Sequence, residues 1–349
     1  MSTPSIRTTV VGSYPVPDWL MASPSQQGLI DATRVVFKTQ EMAGVDVVVD
    51  GELYRWDVNH PDTNGMIEYF IRPMEGIRSE ITRSDIVEFS QIEGMGFRVE
   101  PAGVVDGPVD EGTLNIPRDY ARARRCTDHP LKFTLTGPHM LCKTLMDHHY
   151  RSRPELAAAL GRALAKQVAD INPEVIQIDE ANITGHPEES EWAAKAINLV
   201  LDAATGAKEK GVHLCFGNYG GQNIQKGHWD QLLSLMNRLH CDHVVLEFAF
   251  RGYDELKFFR DGLDPRIGLG IGVVDVKVNT VESPEVIAKR IEAATANVGP
   301  DRIRWVHPDC GFWMNKRSVA DRKIANLVKG RDLFLGIQSE STATDPMGA

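Results

Sequence analysis

Gly211-Val-His-Leu-Cys-Phe216 is the stretch whose reading decides the fold. It is short and apolar, and its two soft ligands, His213 and Cys215, stand two positions apart. In a strand they point to the same face, because side chains alternate across the pleat with a period of two. Imidazole and thiolate are both good zinc donors. Alone, such a pair is more often ordinary core than a metal site. Two later residues add weight: Glu247 ends the apolar run Val244-Val-Leu-Glu247, and Cys310 ends Arg304-Trp-Val-His-Pro-Asp-Cys310. If these three strands are neighbours in one parallel sheet, His213, Cys215, Glu247 and Cys310 converge on one Zn2+.

Outward from this stretch, strand-like runs alternate with amphipathic helices, the pattern of a parallel sheet with crossover helices. The strands read as Thr8-Thr-Val-Val-Gly12, Val45-Asp-Val-Val-Val-Asp50, Leu131-Lys-Phe-Thr-Leu-Thr136, Glu174-Val-Ile-Gln-Ile-Asp179, the His213 run, the Glu247 run, Ile267-Gly-Leu-Gly-Ile-Gly-Val-Val-Asp275 and the Cys310 run. Helices are expected near 31–43, 154–170, 189–210, 229–238, 253–259, 284–297 and 319–328. Eight strands with helical connections predict an α/β fold, a single (β/α)8 TIM barrel over residues 1–336, with its active site at the carboxyl ends of the strands. Between the second and third strands the rhythm breaks. Ile86-Val-Glu-Phe and Phe97-Arg-Val-Glu-Pro alternate, which predicts an antiparallel insertion over about 68–123. The Ser/Thr-rich tail, 337–349, is expected to be disordered.

Composition narrows the function classes. The chain has 349 residues, 42% of them hydrophobic, enough for a sizeable core in one domain. A formal net charge of -10 with no basic stripe argues against a nucleic-acid surface. The start, Met-Ser-Thr-Pro-Ser-Ile-Arg, lacks the apolar core of a signal peptide, and no run is long enough to cross a bilayer. A cytoplasmic protein with no membrane partner is therefore expected; the sequence leaves its oligomeric state open. Five cysteines without a close-spaced even framework fit a reducing compartment, where thiols serve metals or catalysis.

Polar residues gather at the carboxyl ends of the predicted strands: Ser13, Glu52, Asp179 with Glu180, His213 with Cys215, Glu247, Asp275, and Asp309 with Cys310. Helix capping accounts for some of the acids. It does not account for Cys215 or Cys310. Thiolate donors weaken a metal as a Lewis acid for hydrolysis, but they suit the activation of a substrate thiol, which is otherwise only a few per cent ionised at neutral pH. Glu247, the hard ligand, is the one expected to recede.

At these residues the sequence resembles the cobalamin-independent methionine synthase family, specifically its zinc-bearing barrel. The resemblance runs through Val11-Gly-Ser-Tyr-Pro15, Asp50-Gly-Glu52, Leu135-Thr-Gly-Pro138, Ile176-Gln-Ile-Asp-Glu180, His213-Leu-Cys215, Leu246-Glu247 and Asp309-Cys-Gly311. It implies a (β/α)8 barrel that transfers an alkyl group to a zinc-bound thiol, with His213, Cys215, Glu247 and Cys310 as zinc ligands. It also implies that Ser13 holds the homocysteine carboxylate and that Glu52 and Asp179 hold its ammonium group. The family's amino-terminal barrel has no counterpart here. Nor does the tryptophan that follows the Gly-Pro turn and stacks on folate, since residues 137–144 read Gly-Pro-His-Met-Leu-Cys-Lys-Thr. The family's Asp-Ile-His becomes Asp275-Val-Lys277, and the neutral run Ala181-Asn-Ile-Thr-Gly185 stands where the family has an acidic residue shortly after the Ile-Asp-Glu motif. The thiol end of the site is thus kept and the folate end changed.

The leading expectation is a homocysteine S-methyltransferase with a small-molecule thiol acceptor and a non-folate donor such as a corrinoid or corrinoid protein. The alternative is an epoxyalkane:coenzyme M transferase, also similar to this family. That chemistry needs an acid for the opening alkoxide, for which His139, Lys277 and Tyr14 are candidates, and a cation for the sulfonate, for which Arg55 or Lys143 is available. The related uroporphyrinogen decarboxylases would need an arginine-rich site, against the acidic loop ends here. A zinc that serves only the fold is the non-catalytic alternative.

Overall fold

The computed structural model describes residues 6–61, 65–92, 98–218 and 221–337. Among the described residues the strands in chain order are β1 (Arg7–Thr8), β2 (Glu75–Arg78), β3 (Val104–Asp110), β4 (Lys132–Thr136), β5 (Met146–Asp147), β6 (Val175–Glu180), β7 (Glu209–Leu214), β8 (His243–Leu246), β9 (Gly268–Val274) and β10 (Ile303–Pro308). Seven of them form a curled parallel sheet in the order β1-β10-β9-β8-β7-β6-β4. Long helices, among them Gln26–Ala43, Arg153–Val168, Ser190–Ala203, Pro284–Val298 and Arg317–Leu335, alternate with these strands along the chain. No helix among the described residues is long and apolar enough to cross a membrane.

The expected second strand, Val45 to Asp50, does not form a ladder. Between β1 and β4 only two single parallel bridges remain, Thr9 with Val47 and Val48 with Leu131, so the sheet is not closed by a continuous eighth strand. The reason is local. The buried Gln40 amide takes both backbone groups of Val49, donating to its carbonyl at 2.7 Å and accepting from its N–H at 2.9 Å. A backbone whose donor and acceptor are satisfied by a side chain has none left for a neighbouring strand.

The segment from 68 to 123 also differs from expectation. β2 and β3 pair antiparallel, but β3 then pairs parallel with β5, giving a small mixed sheet. Ile86-Val-Glu-Phe is not a strand; it lies in the helix Arg83–Phe89. Thr82 and Asp85 form a reciprocal capping box at its start, and that signal outweighs four residues of alternation. Phe89 anchors the helix against Val104 and Met146. Of the second alternating run, Phe97 lies outside the described residues and 98–101 is irregular. The helix expected over 189–210 stops at Ala203, leaving 209–214 to form β7. Of the predicted tail, residues 338–349 lie outside the described residues.

The sheet register places the polar residues. Thr136, Asp179, His213, Val245 and Gly270 are partners in successive strands, so Lys132, Thr134, Gln177, Asp179, His213 and Glu247 share one face by the period of two. Val47, Val175 and Trp305 pack together as a small apolar cluster on the same face, nearer the strand starts. β9 carries glycines at alternate positions because its neighbours need the room. A Cβ on Gly272 would lie 2.0 Å from Asp309 Oδ1.

Candidate active site

His213, Cys215 and Cys310 come together at the carboxyl ends of β7 and β10, with one ligand atom from each lying within 4.8 Å of the others. His213 is buried, and its Nδ1 donates to the Val245 carbonyl at 3.2 Å, which leaves Nε2 facing Cys310 Sγ at 3.9 Å. Fixing one imidazole nitrogen on a carbonyl is how proteins orient a metal-binding histidine. The donor set of one imidazole and two thiols, pre-oriented and largely buried, fits zinc. The hydrogen bond with Cys310, followed by burial, pushes the Cys215 thiol well above its ordinary value. A cation bound between the two sulfurs would oppose that rise.

Cys310 is held in place by its neighbours. Asp309, fully buried, accepts from the N–H groups of Phe248 and Ala249 on one oxygen and Phe250 on the other, at 2.9, 2.8 and 2.7 Å. This ties the loop after β8 to the end of β10. Burial, with Glu247 nearby, raises the Asp309 carboxyl to about 7 despite those donors. Gly311 packs directly on Ser13, and a Cβ there would sit 2.0 Å from the Ser13 hydroxyl.

Glu247 is buried on the same face but is not in the cluster of three. Its Oε1 accepts from the Phe216 N–H at 3.1 Å and its Oε2 takes Lys277 Nζ at 2.7 Å. Lys277 also donates to Asn223. The Lys277 ammonium thus occupies the carboxylate that sequence reasoning gave to zinc.

Above the three ligands lies a chamber of about 150 Å3, lined in part by Ser13, Glu52, Met140, Asp179 and Trp313. Glu52 has a left-handed backbone, φ 59°, uncommon for a residue other than glycine. The Asp50 side chain steadies that turn by accepting from the Glu52 N–H at 2.8 Å. The Glu52 carboxylate receives the Thr134 hydroxyl at 2.6 Å and the Arg55 guanidinium at 3.3 Å. Asp179 accepts from Gln177 Nε2 at 2.7 Å, and Gln177 Oε1 in turn accepts from the buried Lys132 at 2.8 Å. Burial raises the Asp179 carboxyl and lowers Lys132. Two buried carboxylates on the wall of the chamber make a site for a cation such as an ammonium group.

The remaining predicted residues are engaged elsewhere. His139 is fully buried, does not line the chamber, and bonds Glu189 at 2.7 Å; burial lowers its pKa. Lys143 pairs with the same Glu189 at 3.0 Å. The Tyr14 hydroxyl donates to Asp321, and burial followed by that bond raises its pKa. Arg55 is buried among Tyr54, Tyr69 and Phe70 and donates to Thr134 as well as pairing with Glu52. Sequence reasoning missed Lys132, Thr134, Gln177 and Trp313. The first three carried a signal: polar residues at alternate positions in otherwise apolar strands, in step with Asp179 and His213. Another cavity, about 720 Å3, lies beside the insertion between Tyr54, Trp56, Arg72 and Arg118, and it touches none of the three ligands.

The model of the family described as "Cobalamin-independent synthase, Catalytic domain" matches residues 6–331. The chain belongs to the cobalamin-independent methionine synthase family. A relative named methionine synthase from Sulfurisphaera tokodaii is 29% identical over 343 residues, covering 94% of this chain and 92% of its own length. Another of that name, from Saccharolobus solfataricus, is 28% identical over 344 residues, covering 94% of both chains. Among solved structures, a B12-independent methionine synthase from a Shewanella species, in complex with selenomethionine, aligns with a TM-score of 0.76 at 22% identity, over 95% of this chain and 98% of that one. A putative vitamin-B12-independent methionine synthase from Listeria monocytogenes gives 0.68 at 17% identity, over 94% and 99%. These structures share the fold. As a member of the methionine synthase family, the protein is a methyltransferase.

Proposed function

We propose that the protein is a zinc-dependent homocysteine S-methyltransferase that takes its methyl group from a non-folate donor such as a corrinoid. The observation that carries the reading is the chamber itself, with His213, Cys215 and Cys310 at its floor and Glu52 and Asp179 on its wall. Zinc held by those three residues would supply the positive charge that lets a substrate thiol give up its proton at neutral pH. Glu52 and Asp179 bind the substrate ammonium group, and Ser13 binds its carboxylate through the hydroxyl or the backbone. The surrounding apolar wall, including Val11, Met140 and Ile224, keeps water from the sulfur. Glu247, which pairs with Lys277 at 2.7 Å, is the residue that would complete the zinc ligands as a fourth, exchangeable one.

That the Shewanella relative is in complex with selenomethionine supports an amino-acid ligand for this chain. The absent tryptophan after Gly137-Pro138 supports a donor other than a folate polyglutamate. Coenzyme M chemistry gains no support: Arg55, Lys143, His139 and Tyr14 each have a protein partner already. The test is calorimetry of the zinc-loaded protein with homocysteine and with coenzyme M, in buffers of different ionisation enthalpy. Homocysteine is expected to bind with release of close to one proton and coenzyme M not to bind. Binding of coenzyme M alone would overturn the acceptor assignment.

A further inference from the structure

Gln177 lies in β6, fully buried, and its amide uses every hydrogen-bonding group it has on three different parts of the barrel. Its Oε1 accepts from Lys132 Nζ at 2.8 Å, and its Nε2 donates to Asp179 Oδ1 at 2.7 Å and to the Val11 carbonyl at 2.8 Å. A lysine ammonium offers donors only, so Lys132 fixes which end of the amide faces it, and both N–H groups point the other way. Asp179 follows two residues on in the same strand. Val11 instead follows β1, which is not a neighbour of β6 in the sheet, so the bond from Gln177 to Val11 crosses the barrel interior.

The end of β1 is where this crossing matters. Val11, Gly12 and Ser13 all line the thiol chamber, as do Glu52 and Asp179. A Cβ on Gly12 would overlap the Glu52 carboxylate, and one on Gly311 would overlap the Ser13 hydroxyl, so this stretch of backbone is packed from two sides. Gln177 adds a direct hydrogen-bonded link from it to Asp179. Only Oδ1 of Asp179 is taken; Oδ2 has no hydrogen bond among the described residues. Lys132 is 1% exposed, and Gln177 is its hydrogen-bond partner among the described residues. A buried lysine on one neutral acceptor adds little to the fold that two apolar side chains would not give, which directs attention to what the amide holds.

We propose that Gln177 is a positioning residue that lets the chamber select one enantiomer of its amino-acid thiol: by tying Asp179 to the backbone that leads into Ser13, it fixes the separation between the ammonium site and the carboxylate site. The inference rests on the amino-acid reading above and deepens it. A thiol anchored at His213, Cys215 and Cys310 supplies a third point, and three points of fixed separation distinguish a molecule from its mirror image. Were Asp179 and the end of β1 free to shift independently by about an ångström, the mirror-image substrate would place its two charges almost as well. Gln177 does not line the chamber and acts through Asp179 and Val11.

The test is calorimetry on the zinc-loaded protein with L-homocysteine and D-homocysteine, in the parent, in Gln177→Leu and in the double variant Lys132→Met, Gln177→Leu. The double variant removes both members of a buried polar pair and strands no cation, so it folds where the single variant fails; thermal melting checks this. The parent is expected to bind one enantiomer roughly tenfold or more tightly than the other. In the variants the ratio should fall to within about threefold of unity, through weaker binding of the preferred form. The singly charged thiols 3-mercaptopropylamine and 4-mercaptobutyrate should keep their affinities, because one charge does not sense the separation. Equal weakening of all four thiols would show a structural role only and overturn the assignment. A ratio retained in a folded variant overturns it too, as does a parent that binds both enantiomers equally. Failure of the parent to bind either enantiomer would instead defeat the amino-acid reading on which the inference rests.

Discussion

In the thiol chamber the polar side chains hold one another: Glu52 is gripped by Thr134 and Arg55, and Asp179 by Gln177, which Lys132 supports from below. In the cleft beside it, between the loop after β1 and the turn after β10, Trp56 Nε1 and Asn315 Oδ1 have no partner among the described residues, Trp19 stands open to solvent, and Lys316 has no ion pair among the described residues. The first is built on strands, the second on loops. Strand register fixes a side chain by the whole sheet, so a site placed there is rigid and costly to alter. Loop residues change without disturbing the core.

The sharpest way to break this contrast is Cys310→Ala. Losing one of two sulfurs should reduce zinc affinity and methyl transfer by about a hundredfold or more, measured by metal analysis after dialysis and by methionine formation. Retained zinc and retained turnover would remove the ligand assignment. Glu52→Gln acts one step away from the metal. It should weaken homocysteine binding by roughly ten- to a hundredfold while zinc stays, because a charged hydrogen bond to a buried ammonium is worth about 1.5–3 kcal/mol; calorimetry with equal affinity would refute the ammonium pocket.

Lys277→Met asks what Glu247 is for. Removing one partner of this buried pair should destabilise the zinc-free protein by about 3–5 kcal/mol. Zinc should recover part of that loss, because Glu247 is then free to ligate. Denaturation with and without zinc gives the answer: an identical loss in both would show that Glu247 never reaches the metal.

The smallest expected effect concerns the turn below Glu52. Burial raises the Asp50 carboxyl from 3.8 to about 7. A folded-state pKa above the unfolded one contributes stability that is complete below about pH 4 and is lost as pH rises through 7. Asp50→Asn removes that dependence, so relative to the parent it should melt roughly 2 °C or more higher at pH 8 than it does at pH 4.5. A pH-independent difference would mean that Asp50 is ionised throughout.

Much of the fold was legible because its signals were local and repeated. The apolar runs ending in His213, Glu247 and Cys310 became adjacent or nearly adjacent parallel strands, and period-two alternation put their polar residues on one face. The second strand was not legible because its hydrogen bonds go to the Gln40 side chain, a contact that no propensity reports. Ile86 to Phe89 misled because four residues fit either period, and the deciding Thr82–Asp85 cap lay upstream. In the site, residue type and register pointed to His213, Cys215 and Cys310, which the fold brings together. They did not show that Lys277 would claim Glu247, since that depends on where a long side chain from the loop after β9 ends.

The central claim is that a substrate thiol joins His213, Cys215 and Cys310 at one zinc ion. The measurement that tests it most directly is zinc-edge X-ray absorption on the zinc-loaded protein before and after homocysteine is added. Two sulfur scatterers are expected in the resting protein and three with homocysteine, with the oxygen contribution falling. A sulfur count that does not change with homocysteine would contradict the account.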